Sequence, residues 1–133
     1  MPRLDVWAEF ARLHDEEGWT FARIGASKGC DESAAALRAR LSRDLPDAAR
    51  RATVDGLFDE GHCVAVSGLT VDINSLSPWL TTEQAQSELV AEVLGRHRGS
   101  SEGKKPTVQN VRESAVRWKE TIRLAERLHG ETD

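Results

Sequence analysis

The stretch GWTFARIGASKGCDESAAALRARLSRDL, residues 18–45, carries the pattern from which the fold is inferred. Thr20 can cap a helix running from Phe21 to Lys28, and Gly18 before it lets a preceding helix stop. Phe21 and Ile24 lie three apart and turn one face inward, while Gly25 removes a side chain where a second helix has to pass close. Gly29 then breaks the helix. Cys30 or Asp31 opens another, in which Ala34, Leu37, Leu41 and Leu45 recur at intervals of three, four and four. That stripe is expected to be the buried back of the second helix. The opposite side would present Glu32, Ser33, Ala36, Ala39, Arg40 and Arg43, a slim surface with a basic C-terminal end suited to a DNA major groove. The expectation is a helix-turn-helix, although an ordinary pair of amphipathic helices shares its periodicity.

The next segments of the chain separate the two. Leu45-Pro46-Asp47-Ala48-Ala49-Arg50-Arg51 leads to Asp55-Gly56-Leu57-Phe58-Asp59-Glu60-Gly61-His62 and then an apolar run to Leu69. This succession resembles the central DNA-binding domain of the ParB partition-protein family, in which a helix-turn-helix is followed by Leu-Pro, a short helix, a Gly and a Glu-Gly-His start to the next helix. The resemblance reaches upstream through Trp7-Ala8-Glu9-Phe10 and Leu13, and downstream through Gln84 after Thr82 and the segment Thr107-Val108-Gln109-Asn110-Val111-Arg112-Glu113. It covers most of residues 4–113.

The chain departs from the family pattern at three places. Asp31-Glu32-Ser33 opens the second helix where the family carries polar and basic residues, and its carboxylates repel phosphates, although Glu32 can accept from a cytosine amino group. Gly61-His62-Cys63-Val64 stands for Gly-His-Ala-Arg, one base fewer. The spacing from Gly29 to Pro46 is one residue longer. The glycine-rich and arginine-bearing motifs of the family's separate nucleotide-binding domain do not occur, so neither CTP nor any other cofactor is expected.

The chain has 133 residues, 39% of them apolar, which bounds it to one domain with an appended helix. Its four tryptophans, Trp7, Trp19, Trp79 and Trp118, are spread along the chain and are expected to anchor separate pieces of core. No apolar run approaches the roughly 20 residues that span a bilayer, and the first residues have no signal-peptide core, so the expected location is cytoplasmic, on nucleoid or plasmid. Cys30 and Cys63 lack partners at metal-finger spacing. His14, His62, His97 and His129 form no ligand pair, and no phosphate-binding or dinucleotide glycine pattern occurs, which argues against an enzyme. His62 is expected to be a structural helix-start residue.

A net charge of −4 sits poorly with nucleic-acid binding until its distribution is followed. Residues 55–95 contain no Lys or Arg and seven acids, whereas residues 20–54 hold seven bases against four acids, and residues 96–127 nine against four. A local excess over the motif can neutralise phosphates while the acidic stretch faces away or meets a protein partner.

The coarse reading is all-α: a multi-helix domain containing a helix-turn-helix, with a long C-terminal helix. Residues 1–98 are taken as the DNA-binding domain, 99–106 as a basic Gly/Ser linker or loop, and 107–130 as a helix that packs back or self-associates. Leu4 to Glu16 is amphipathic, with Val6, Trp7, Phe10 and Leu13 inward. Pro46 fits the first turn of a helix ending near Gly56. Asp59 or Glu60 starts another that stops before Gly68. Residues 70–80 are irregular, pinned by Val71, Ile73, Leu76 and Trp79. Thr81 and Gln84 form a capping box for a helix closing at Gly95. Thr107 caps the last helix, whose Val108, Val111, Ala115, Trp118, Ile122, Ala125 and His129 make a heptad seam.

The function these features imply is sequence-specific binding of double-stranded DNA, in partition or transcriptional regulation. The expected contacts are Thr20, Lys28, Ser33, Arg40 and Arg43, with Arg50 and Arg51 steadying the phosphate backbone. A homodimer on a palindromic site is the expected arrangement if the last helix self-associates. The alternative is an interaction adaptor that keeps the fold and binds protein through the acidic 55–95 surface or the terminal helix. A sigma-like promoter-recognition module shares the helix pair but leaves the Leu45-Pro46 and Glu60-Gly61-His62 sequel unexplained.

Overall fold

A computed structural model describes residues 3–72, 80–98 and 105–131. Among these residues there are seven helices and no strand: α1 (Arg3–Asp15), α2 (Phe21–Lys28), α3 (Glu32–Asp44), α4 (Asp47–Val54), α5 (Glu60–Ser67), α6 (Thr82–Arg98) and α7 (Val108–Glu131). The all-helical class and the long C-terminal helix agree with the pattern of the sequence. The chain divides into two compact units between Leu45 and Pro46, so α1 to α3 form a unit of their own and α7 belongs with α4 to α6. That division differs from a single domain over 1–98 followed by a linker. Residues 99–104 of the expected linker, and Ile73, Leu76 and Trp79 of the expected pinned loop, lie outside the described residues.

In the first unit α3 packs against both α1 and α2. Phe10, Ala11 and Leu13 from α1, Ile24 from α2 and Ala35 and Ala39 from α3 make one core, with Trp19, Phe21 and Cys30 packed partly against it. Trp7 is buried as well, but Val6, expected inward, is exposed. The small Ala35 and Ala39 let α3 approach its neighbours closely, and the aromatic bulk comes from α1. His14 closes the end of α1: its ring stacks on Phe21 at 4.0 Å between centroids, and Nδ1 donates to the Trp19 carbonyl oxygen at 2.9 Å.

The second unit packs α4 on α6, α5 on α6 and α7, and α6 on α7. Pro46 stands just before α4 as its N-cap, not inside its first turn. Asp59 and His62 form a reciprocal capping box at the start of α5. Thr81 and Gln84 do the same before α6, and Thr107 and Asn110 before α7. Helix α6 continues through Gly95 to Arg98, because helical glycine costs only about 1 kcal/mol and the flanking Val93 is buried. Along α7, Val111, Ala115 and Ile122 are buried, and Trp118 donates its indole N–H to Glu92 at 2.9 Å. Val111, Ala115 and Ile122 of the heptad seam are therefore covered within the unit, where α7 packs on α5 and α6.

Candidate nucleic-acid interface

The segment from Thr20 to Asp44 is built by local capping. The Thr20 hydroxyl accepts from the Arg23 N–H at 3.2 Å, starting α2 at the residue whose side chain suits a cap. Gly29 ends α2 at φ +77°, a left-handed conformation that side chains rarely adopt. Asp31 then caps α3, its carboxylate accepting from the Ala34 N–H at 2.7 Å. One of the two carboxylates that distinguish this opening is thus engaged by the helix itself. Gly25 has the close neighbour expected of it, although the neighbour is the turn and not a helix. A Cβ there would stand 2.5 Å from the Cys30 carbonyl oxygen and 3.0 Å from that of Asp31.

The register of α3 differs from the expected one. Ala35 and Ala39 are fully buried, with Leu41 and Leu45 beside them in burial, while Ala34 and Leu37 are not: Ala34 and Leu37 are only half-buried. Ala39, assigned from the sequence to the outer surface, is therefore a core residue. The cause is the alanine-rich composition: with Ala at 34, 35, 36 and 39, periodicity alone does not fix which side faces in, and Phe10 and Ile24 select the alanines that let them close. The outer arc carries Glu32, Ser33, Arg40, Arg43 and Asp44 exposed, with Ala36 and Leu37 half-exposed between them.

Thr20, Lys28, Ser33, Arg40 and Arg43 all belong to the first unit and are exposed there. Their states differ. Arg43 is held by Asp15 in a two-pronged ion pair, Nη2 to Oδ1 at 2.7 Å and Nε to Oδ2 at 2.9 Å. Lys28, in the last turn of α2, helps to draw the Glu9 carboxyl below its ordinary range. The main cause of that shift is the hydrogen bond from Arg12. Arg50 and Arg51 lie on α4 of the second unit, Arg50 half-buried and Arg51 exposed in the last turn.

Two residues that bear on the surface stand outside the set of expected contacts. Asp15 has no sequence signal, because its partner Arg43 is 28 residues away. Arg23 lies with its guanidinium 3.9 Å from the Trp19 ring centroid, a pairing that the i, i+4 spacing makes available on a helix start. The first unit contains seven bases (Arg3, Arg12, Arg23, Lys28, Arg38, Arg40, Arg43) and eight acids (Asp5, Glu9, Asp15, Glu16, Glu17, Asp31, Glu32, Asp44). The basic excess of residues 20–54 thus spans two units. Among the described residues no three His, Cys, Asp or Glu side chains converge as metal ligands, and no helix is long and apolar enough to cross a membrane.

Comparison with protein-family profiles, with curated proteins and with solved structures found no match to this chain.

Proposed function

We propose that the chain binds double-stranded DNA through its first unit, with α3 as a recognition helix entering the major groove, in partition or transcriptional regulation of the ParB-like kind. The observation that carries this reading is the outer arc of α3, where Ser33, Ala36 and Leu37 keep the helix slim and Arg40 stands exposed beyond them. A helix of that profile fits between phosphate walls and puts a guanidinium within reach of guanine O6 and N7 or of a phosphate. Thr20 at the N-cap of α2 and Lys28 in its last turn supply backbone contacts, and Arg50 and Arg51 of the second unit steady the phosphate backbone. A palindromic site would be read by two copies, each offering one α3.

Binding of the whole chain to random-sequence duplex and to a selected-site pool, measured across a salt series, tests the proposal. Sequence-enriched binding that weakens steeply with salt is the expected result. Arg40→Ala should lower affinity with helicity unchanged. No binding at low salt would overturn the reading.

One observation favours a second reading, an adaptor that binds protein. The first unit has more acids than bases, and Arg43 is already paired with Asp15. On this reading the acidic residues of the 55–95 stretch, with Asp55, Asp59, Asp72, Glu83 and Glu88 exposed, receive a basic protein surface. Recovery of a defined basic partner by a chain that ignores DNA would support it.

A further inference from the structure

We propose that Arg23, laid over Trp19, contacts a phosphate of the DNA backbone. The inference rests on the DNA-binding reading and adds to it a residue that the helix pattern did not select. The arginines of the first unit differ in what already occupies them. Arg43 is clamped by Asp15, and Arg12 is shared between Glu9 and Glu17. Arg38 is half-buried, 5.6 Å from the Phe10 ring centroid. Arg23 is exposed, and among the described residues no carboxylate pairs with its guanidinium.

The platform beneath Arg23 is firm. Trp19 is half-buried against the core of the unit, its backbone N–H donates to the Leu13 carbonyl oxygen at 3.0 Å, and its own carbonyl accepts from His14. The Arg23 backbone N–H is held in turn by the Thr20 hydroxyl. A guanidinium stacked through its face keeps its N–H edges outward, and those edges are what phosphodiester oxygens accept from. Much of the side-chain freedom that a flexible surface arginine loses on binding is already removed here. Stacking orients this cation without neutralising it, whereas the ion pair at Arg43 does both.

The test compares the full chain with Arg23→Ala, Arg23→Lys, Trp19→Leu and Arg40→Ala on a selected-site duplex and a random-sequence duplex across a salt series, with circular dichroism checking that each is folded. Arg23→Ala should weaken binding about tenfold on specific and random duplex alike, as removal of a charged hydrogen bond does. It should also make the slope of log affinity against log salt shallower by about 0.9, the signature of one neutralised phosphate fewer. Arg23→Lys should keep the slope and reduce the affinity in part. Trp19→Leu, with the charge intact and the platform gone, should behave as Arg23→Lys does. Unchanged affinity and slope in Arg23→Ala, beside weakened binding in Arg40→Ala, would overturn the role of Arg23 and leave the DNA-binding reading standing. Absence of binding by the unaltered chain would overturn both.

Discussion

The first unit and the second are each stabilised by different means. In the first, Phe10, Leu13, Ile24, Ala35 and Ala39 form an apolar core, and the ion pairs lie at the surface, Arg43 with Asp15 and Arg12 with Glu9 and Glu17. In the second, buried side chains reach backbone groups far away in sequence. His62 Nε2 bonds the Pro106 carbonyl oxygen, and the Gln86 side chain donates to the Leu69 carbonyl oxygen at 3.0 Å. Small residues that close a gap leave the outer faces of their helices unconstrained, so α3 can carry a readable surface. Buried polar pins fix segments against one another and tolerate little change. Surface substitutions in the first unit should therefore separate function from stability, and substitutions at the pins of the second should not.

The largest effect is expected from His62→Ala. It removes one half of the capping box, the stack on Phe58 at 5.0 Å and the partner of a buried carbonyl. A loss of about 3 kcal/mol is expected, the scale of an unsatisfied buried acceptor plus a cavity. Hydrogen exchange should quicken in α5 and the start of α7 and stay unchanged from Phe21 to Asp44. Equal loosening of α2 and α3 would break the contrast. The same box predicts a pH dependence. The Asp59 carboxyl is held below its ordinary range, mainly by its close side-chain contact with His62, with the His62 and Gly61 N–H groups adding to it. A carboxyl so lowered contributes stability in full above the ordinary aspartate range near pH ~4. That contribution is lost as pH falls through the lowered value. Asp59→Asn should flatten the acid limb of the unfolding curve, by a small amount since the carboxylate is largely exposed.

Gly25→Ala tests the first unit at its tightest point. The added methyl would meet backbone, the carbonyl oxygens of Cys30 and Asp31, which cannot move aside as a side chain can. About 2 kcal/mol of destabilisation is expected, measured by urea unfolding, even though alanine is the better helix former. A stabilised variant would show that the turn has slack. Thr20→Ala, which deletes the hydroxyl cap of α2, should cost about 1 kcal/mol by the same measurement.

Local chemistry was legible in the sequence. Thr20, Gly29, Asp59, Thr81 and Thr107 punctuate helices where their side chains or backbone dictate, because a cap acts within a few residues of itself. Long-range choices were not. The burial of Ala39 depends on which α3 face Phe10 and Ile24 meet, and the inward turn of the α7 seam depends on α5 and α6 being its partners. The state of Arg43 depends on Asp15, a pairing no local rule announces. Of the surface proposed to meet DNA, the residue types could be named in advance, but not which guanidiniums were already engaged.

The engagement of Arg43 gives the smallest effect on stability and a sharp one on function. Asp15 and Arg43 are both well exposed, and an exposed ion pair contributes about 0.5 kcal/mol or less even with good geometry. Asp15→Asn should leave the urea midpoint nearly unmoved. It also removes a negative charge and frees a guanidinium in the last turn of α3. On the DNA-binding reading, duplex affinity should rise and the salt dependence steepen, since a cation that was internally neutralised becomes available to phosphate. Arg43→Ala should weaken duplex binding, because it leaves the Asp15 carboxylate unpaired and repelling phosphate. An Asp15→Asn variant that gains no affinity, beside an Arg43→Ala variant that loses it, would mean that the pair opens on binding and that its carboxylate serves to aim the arginine.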